Sequence, residues 1–181
     1  MNSQARKIWI ISDLHIAHER ILGYCNRPSN YLEKVYKNWK ELVKEKDVII
    51  DLGDVIFYGN KKNLYNILKK LPGIKILIRG NHDRNHTNTW FFDVGYSFVC
   101  NQIVMSKYVF SHSPAKIKEG QINVHGHLHN AHRKKWSNKY KDILTDNHYL
   151  YSLEYNNYKP VLLSKAIENK ELVKTKEVIW E

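Results

Sequence analysis

The stretch Ile74-Lys75-Ile76-Leu77-Ile78-Arg79-Gly80-Asn81-His82-Asp83 is an apolar run that stops abruptly in a glycine followed by three polar residues. Pro72-Gly73 stands just before it and stops an amphipathic segment, Lys61 to Leu71, in which Leu64, Ile67, Leu68 and Leu71 recur at helical spacing. The same grammar appears twice upstream. Lys7 to Ser12 carries Ile8, Trp9, Ile10 and Ile11 and ends in Ser12-Asp13-Leu14-His15, and Asp47 to Leu52 runs into Gly53-Asp54. Between those two, Tyr31 to Lys46 places Leu32, Val35, Tyr36, Trp39, Leu42 and Val43 on one helical face. Apolar runs without alternation belong to strands covered on both faces. The first half therefore reads strand, helix, strand, helix, strand, the pattern of a parallel α/β sheet.

The second half changes character. Short extended segments recur at Phe98–Val99, Ile103–Met105, Tyr108–Ser111, Ile122–Val124 and Tyr149–Leu153, which predicts a more antiparallel sheet packed on the first. Val161 to Val173 is expected to hold a final helix, and residues 130–147 form one long polar, basic loop. No internal repeat or linker divides the chain, so residues 1–181 are expected to form a single domain.

Composition narrows the class. In 181 residues, 43% are hydrophobic and only 4 are Pro and 8 Gly, which excludes a disordered or collagen-like chain. No apolar run approaches the length of a membrane span; Ile8 to Ile11 is cut by Ser12 and Asp13, leaving it too short for a secretory signal as well. A soluble cytoplasmic protein with no membrane partner is expected. Lys and Arg number 29 against 18 acids, a balance of +11 that attracts phosphate-rich partners by its field, although a basic solvated surface explains it equally well. Cys25 and Cys100 lie far apart and read as small buried apolar groups.

Chemistry concentrates at element ends. Asp13 and His15, Asp54, and Asn81 and His82 follow the three strands of the first half, where ligands of open α/β sheets gather. His112 follows Tyr108–Ser111, and His127 and His129 follow Ile122–Val124. A two-metal site for phosphate-ester cleavage needs ions roughly 3.5–4 Å apart and a carboxylate that offsets their repulsion. Neutral nitrogen and oxygen donors should complete each shell, so that net positive charge remains to polarise a phosphoryl oxygen. Asp54 is placed to bridge, with Asp13 as the other carboxylate.

Together, Asp13-Leu14-His15, Gly53-Asp54, Gly80-Asn81-His82-Asp83, His112 and Gly126-His127-Leu128-His129 resemble, in order, the signature of the calcineurin-like metallophosphoesterase superfamily. The resemblance spans about residues 8 to 130 and falls in a small single-domain bacterial and phage branch. It implies a four-layer αββα sandwich of two mixed sheets flanked by helices, with two divalent ions at the strand ends. Manganese is expected, with iron, zinc or nickel as alternatives. Asp13, His15, Asp54 and His129 look like the ligands of one metal, and Asp54, Asn81, His112 and His127 like those of the other. His82 looks like the catalytic histidine that assists the leaving oxygen, with Asp83 orienting it. The implied reaction is in-line attack of metal-bound hydroxide on phosphorus. Gly53, Gly80 and Gly126 are expected to allow close backbone approach and positive φ.

Arg27, Arg79 and Arg84 are expected to clamp phosphate oxygens, with Asn26 beside Arg27 at the pocket. The tract Arg133-Lys134-Lys135-Trp136, with Lys139 and Lys141, reads first as a solvated loop and second as a contact for single-stranded nucleic acid. His18, His86, His125, His132 and His148 read as surface or hydrogen-bonded residues, and Asp51 as a carboxylate behind the site or a cap. Phe57 stands where DNA-repair nucleases of the superfamily carry a histidine. A small or accessible phosphodiester of nucleotide type is therefore the expected substrate. A phosphomonoesterase acting on nucleotides or phosphoproteins, and a non-catalytic binding scaffold on the same fold, are the rivals.

Overall fold

A computed structural model describes residues 5–57, 67–130 and 138–179. Its strands form two five-stranded mixed sheets. The first takes β1 (Ile8–Ile11), β2 (Val48–Asp51), β3 (Ile74–Ile78), β4 (Phe98–Cys100) and β9 (Val161–Leu162), in the order β4-β3-β2-β1-β9. β1 to β4 run parallel, and β9 closes the β1 edge antiparallel. The second sheet takes β5 (Gln102–Met105), β6 (Tyr108–Ser111), β7 (Ile122–His125), β8 (His148–Leu150) and β10 (Val173–Lys174), in the order β10-β8-β7-β6-β5. This is the mixed α/β architecture that the motif order implied.

The three long apolar runs behave as written: Trp9, Ile10 and Ile11 are buried, as are Ile49, Ile50, Leu77 and Ile78. They join Phe110 and Val124 of the second sheet in one continuous core, which also takes Val35 and Trp39 from the helix Tyr31–Leu42. That helix ends at Leu42, short of the expected Lys46. Asp47 explains the early stop, because its carboxylate accepts from the Lys44 and Lys7 N–H groups and from the Trp9 indole. A turn held by a side chain there competes with another helical turn. Of the segment 61–71, residues 67–69 are helical and residues 61–66 lie outside the described part.

The second sheet is more antiparallel than the first, as expected, but only through its β5–β6 and β8–β10 pairs; β6–β7 and β7–β8 are parallel. The long connections at 112–121 and 126–147 give the chain room to cross over, which parallel pairing demands. Val161–Val173 holds only a short helix, and a further one follows at Thr175–Ile179. Val161 and Leu162 pair with β1, a short helix covers Leu163–Ala166, and Val173 pairs with β8. Open sheet edges capture these β-branched ends, and tertiary pairing overrides local periodicity.

Phe110 is fully buried between the sheets. Replacing it by Ala is expected to lower unfolding stability by about 3–5 kcal/mol, read from the urea midpoint.

Candidate metal centre

Because β1, β2 and β3 are parallel, the residues following them emerge at one end of the sheet. β6 and β7 deliver His112, His127 and His129 to the same place. Direct bonds tie the halves together: the His127 N–H donates to Asp13 Oδ2 at 2.9 Å, and His112 Nδ1 lies 2.8 Å from the Leu52 carbonyl. A carbonyl only accepts, so His112 donates from Nδ1 and turns Nε2 inward.

Asp54 sits in the middle. Its Oδ1 accepts the His82 N–H at 2.9 Å. Its Oδ2 faces Nε2 of His112 at 3.3 Å, of His15 at 3.6 Å and of His82 at 3.8 Å. On one side, Asp13 Oδ1 lies 3.7 Å from His15 Nε2 and 3.6 Å from His129 Nε2. On the other, His112 Nε2 lies 3.1 Å from both Asn81 Oδ1 and His127 Nδ1. The structure thus brings all seven expected ligands and His82 into one cluster.

The donor set fits metal ions. Asp13–His15–His129 and Asp54–His112–His127 each bring their ligand atoms within 4.8 Å of one another. Asp13 Oδ1 and His15 Nε2 are buried without any hydrogen-bond partner, a cost that a bound cation removes. Burial would raise the Asp13 carboxyl, but His129, His15 and His112 hold it well below the usual carboxylate range. Burial likewise disfavours the charged form of His112, yet the adjoining Asp54 carboxylate raises it to about 9, so a cation binding at Nε2 would have to displace that proton. Burial and the neighbouring His112 push His127 down to about 4, leaving it neutral as a ligand must be.

The backbone is shaped to this purpose. Asp13, His15, Asp54, His127 and His129 all adopt positive φ, between 47° and 68°, a conformation uncommon for residues with side chains and concentrated at functional sites. Gly53 has φ 100°, as expected, but Gly80 and Gly126 are not among the positive-φ residues. Space is what they provide. A Cβ on Gly80 would collide with the Asp54 carboxylate and amide, and one on Gly126 with Ser12 Oγ and Asp13 Oδ2.

Other expected residues take different places. Asp83 makes no hydrogen bond to His82; its buried carboxylate accepts the N–H groups of Asp54, Val55 and Gly80. It fixes the loops that carry Asp54 and Asn81. Arg27 is not a free clamp. It is buried, pairs with Glu154 at 2.7 Å and places Nη2 3.3 Å from His129 Nδ1. Asn26 is exposed in a left-handed turn beside it. Arg79 and Arg84 line a cleft of about 590 Å³ with Asn81 and His112. His125 and His148 are buried and hydrogen-bonded, His125 to Thr175 at 2.7 Å and His148 to the Ala115 carbonyl at 2.9 Å. His132 and the tract 133–136 lie outside the described residues.

Three contributors escaped the sequence reading. His18 lines a cavity of about 760 Å³ over the cluster, with Tyr24, Phe57 and His82. Its ring stacks on Phe57 at 4.0 Å, and burial with the neighbouring histidines lowers it to about 4. Its place three residues after His15, in the same strand-end loop, was the available signal. Glu154 and Tyr31 had none. Glu154 anchors Arg27, and the Tyr31 hydroxyl donates to the Leu14 and His15 carbonyls, each at 3.0 Å.

The sequence model of the calcineurin-like phosphoesterases matches residues 6–175. An uncharacterized protein of Methanocaldococcus jannaschii is 36% identical over 94% of this chain and 96% of its own. The gene 66 protein of Mycobacterium phage L5 is 34% identical over 43% of this chain and 40% of its own. In fold, a protein of unknown function from Aquifex aeolicus superposes with a TM-score of 0.67 at 24% identity, over 91% of this chain and all of that one. The nuclease MPE of Pseudomonas putida gives 0.50 at 22% identity, over 68% and 62%.

Asp51, behind the site, accepts from Tyr96 at 2.6 Å and from the Gly53 N–H, and burial pushes its pKa up to about 8. Unfolded, it titrates near ~3.9. Its contribution to stability is therefore complete below about pH 4 and is lost as pH rises through 8. Urea unfolding of metal-free protein should show wild type losing stability relative to Asp51→Asn across that window.

Proposed function

The chain belongs to the calcineurin-like phosphoesterase family, and from that premise we propose that it hydrolyses phosphodiesters at a pair of divalent metal ions bridged by Asp54. The observation that carries the reading is the Asp54 Oδ2 atom, faced by three imidazole nitrogens from three separate stretches of chain within 3.8 Å. Asp13, His15, Asp54 and His129 would hold one ion, and Asp54, Asn81, His112 and His127 the other. Such a pair, when bound, supplies Lewis acidity and lowers the pKa of a coordinated water toward ~7.

The chain's own residues do the rest. Asp83 and the N–H of His82 hold the Asp54 loop and carboxylate in place, so that no reorganisation is needed as charge develops. His82 is part-exposed beside Phe57, with its ring free to protonate or hydrogen-bond a departing ester oxygen. Its pKa lies below the ordinary histidine range, chiefly because of burial. Arg27 and Glu154 pack against the Nδ1 side of the His129 ring, at 3.3 and 3.9 Å, and hold the ring in position. A diester is favoured over a monoester because Asn81 is common to two separate hollows, which leaves room for a substituent on each side of a phosphate.

With Mn²⁺ supplied, the protein should turn over bis-p-nitrophenyl phosphate faster than p-nitrophenyl phosphate; the opposite order removes the diester reading. His82→Ala should lower kcat by about 10²–10⁴-fold while calorimetry still counts two ions per chain. Asp54→Asn should lose that stoichiometry, and an inactive wild type that binds no metal would leave only the scaffold rival.

A further inference from the structure

The hollow lined by Arg79 and Arg84 is chemically unlike the one above the cluster. The larger hollow is aromatic and apolar in part, with His18 and Phe57 stacked and Tyr24, Ile21 and Leu128 beside them. The smaller one carries two guanidinium groups among Asn101, Gln102 and Ser113, and none of the described residues lining it is acidic. It also reaches the metal cluster directly, through Asn81 and His112.

The two arginines are held differently. Arg79 is a fixed charge: its Nη atoms are committed to the carbonyls of Asp83 and His86 and to Asn88 Oδ1, while its buried Nε has no hydrogen-bond partner. Arg84 is exposed and makes no hydrogen bond or ion pair among the described residues. Its position follows from the 3₁₀ turn His82–Asn85, which Asp83 pins to the Asp54 loop. A pre-set positive field next to an unused guanidinium, with neutral donors and no acidic group among the described lining residues, suits a dianionic or diester phosphate.

We propose that this cleft binds a second phosphate of the substrate, the one flanking the scissile linkage in a nucleotide chain. The proposal rests on the hydrolytic reading above and deepens it. One ester substituent lies against the Phe57–His18 wall, and the other carries its next phosphate to Arg84 within the field of Arg79. The substrate class is then a nucleotide with phosphates on both its 3′ and 5′ oxygens, as in an oligonucleotide, rather than a diester with a single phosphate.

The test compares thymidine 5′-(p-nitrophenyl phosphate) with the same ester bearing a 3′-phosphate, in Mn²⁺ and at low salt. The bisphosphate is expected to show a kcat/KM at least tenfold higher, and Arg84→Gln should bring the ratio of the two substrates close to one. An equal fall on both substrates would mean that Arg84 contacts the scissile phosphate, and an unchanged ratio that it contacts neither; each overturns the proposal. A second readout does not depend on turnover: calorimetry on the metal-loaded protein with thymidine 3′,5′-bisphosphate and thymidine 5′-monophosphate. Wild type should prefer the bisphosphate, and Arg84→Gln should lose that preference. Equal affinities in wild type sink the subsite. If neither ester is cleaved but the preference and its loss are seen, the hydrolytic reading fails while the phosphate site stands.

Discussion

Two carboxylates, Asp13 and Asp54, are buried so close that both lie within 3.7 Å of one nitrogen, His15 Nε2. Like charges in the interior cost several kcal/mol each unless they are compensated. Here the compensation comes from N–H donors of His127 and His82, a hydroxyl from Ser12 and a ring of imidazoles. Much of the rest serves that arrangement. The glycines at 80 and 126 leave room for the carboxylate oxygens, and left-handed residues turn the chain back across each strand tip. Asp13 Oδ1 and His15 Nε2 have no hydrogen-bond partner, a cost that a bound cation would remove.

Around this centre the surface is divided in kind. His18 and Phe57 make a flat aromatic wall over the cluster, while Arg79 and Arg84 place charge on the far lining of Asn81. Phe57 does its work as a ring that His18 and His82 pack against, at 4.0 and 4.9 Å. A histidine at position 57 would place another polar group there, so the departure from the nuclease pattern makes this hollow less polar.

The first sheet was legible because its strands are apolar without alternation and end in polar turns, so Ile8–Ile11, Val48–Asp51 and Ile74–Ile78 needed only local information. The membership of the candidate site was legible for a related reason: each candidate ligand lies within four residues of a strand's end. What lay hidden depends on long-range partners. Glu154 reaches Arg27 across 127 positions, and nothing near either residue advertises the pair. Val161 and Val173 look helical until an open sheet edge is available to them. Asp83 looked like a partner for the adjacent His82, but three backbone N–H groups compete for its oxygens and win.

The tie between the His127 N–H and Asp13 spans 114 positions, and His129 closes the cluster from the same side. During synthesis, at about 5–20 residues per second, the early strands must therefore wait several seconds before their last partners leave the ribosome. The cluster cannot be complete before Gly126-His127-Leu128-His129 has been synthesised, however early the strands that carry the carboxylates are made.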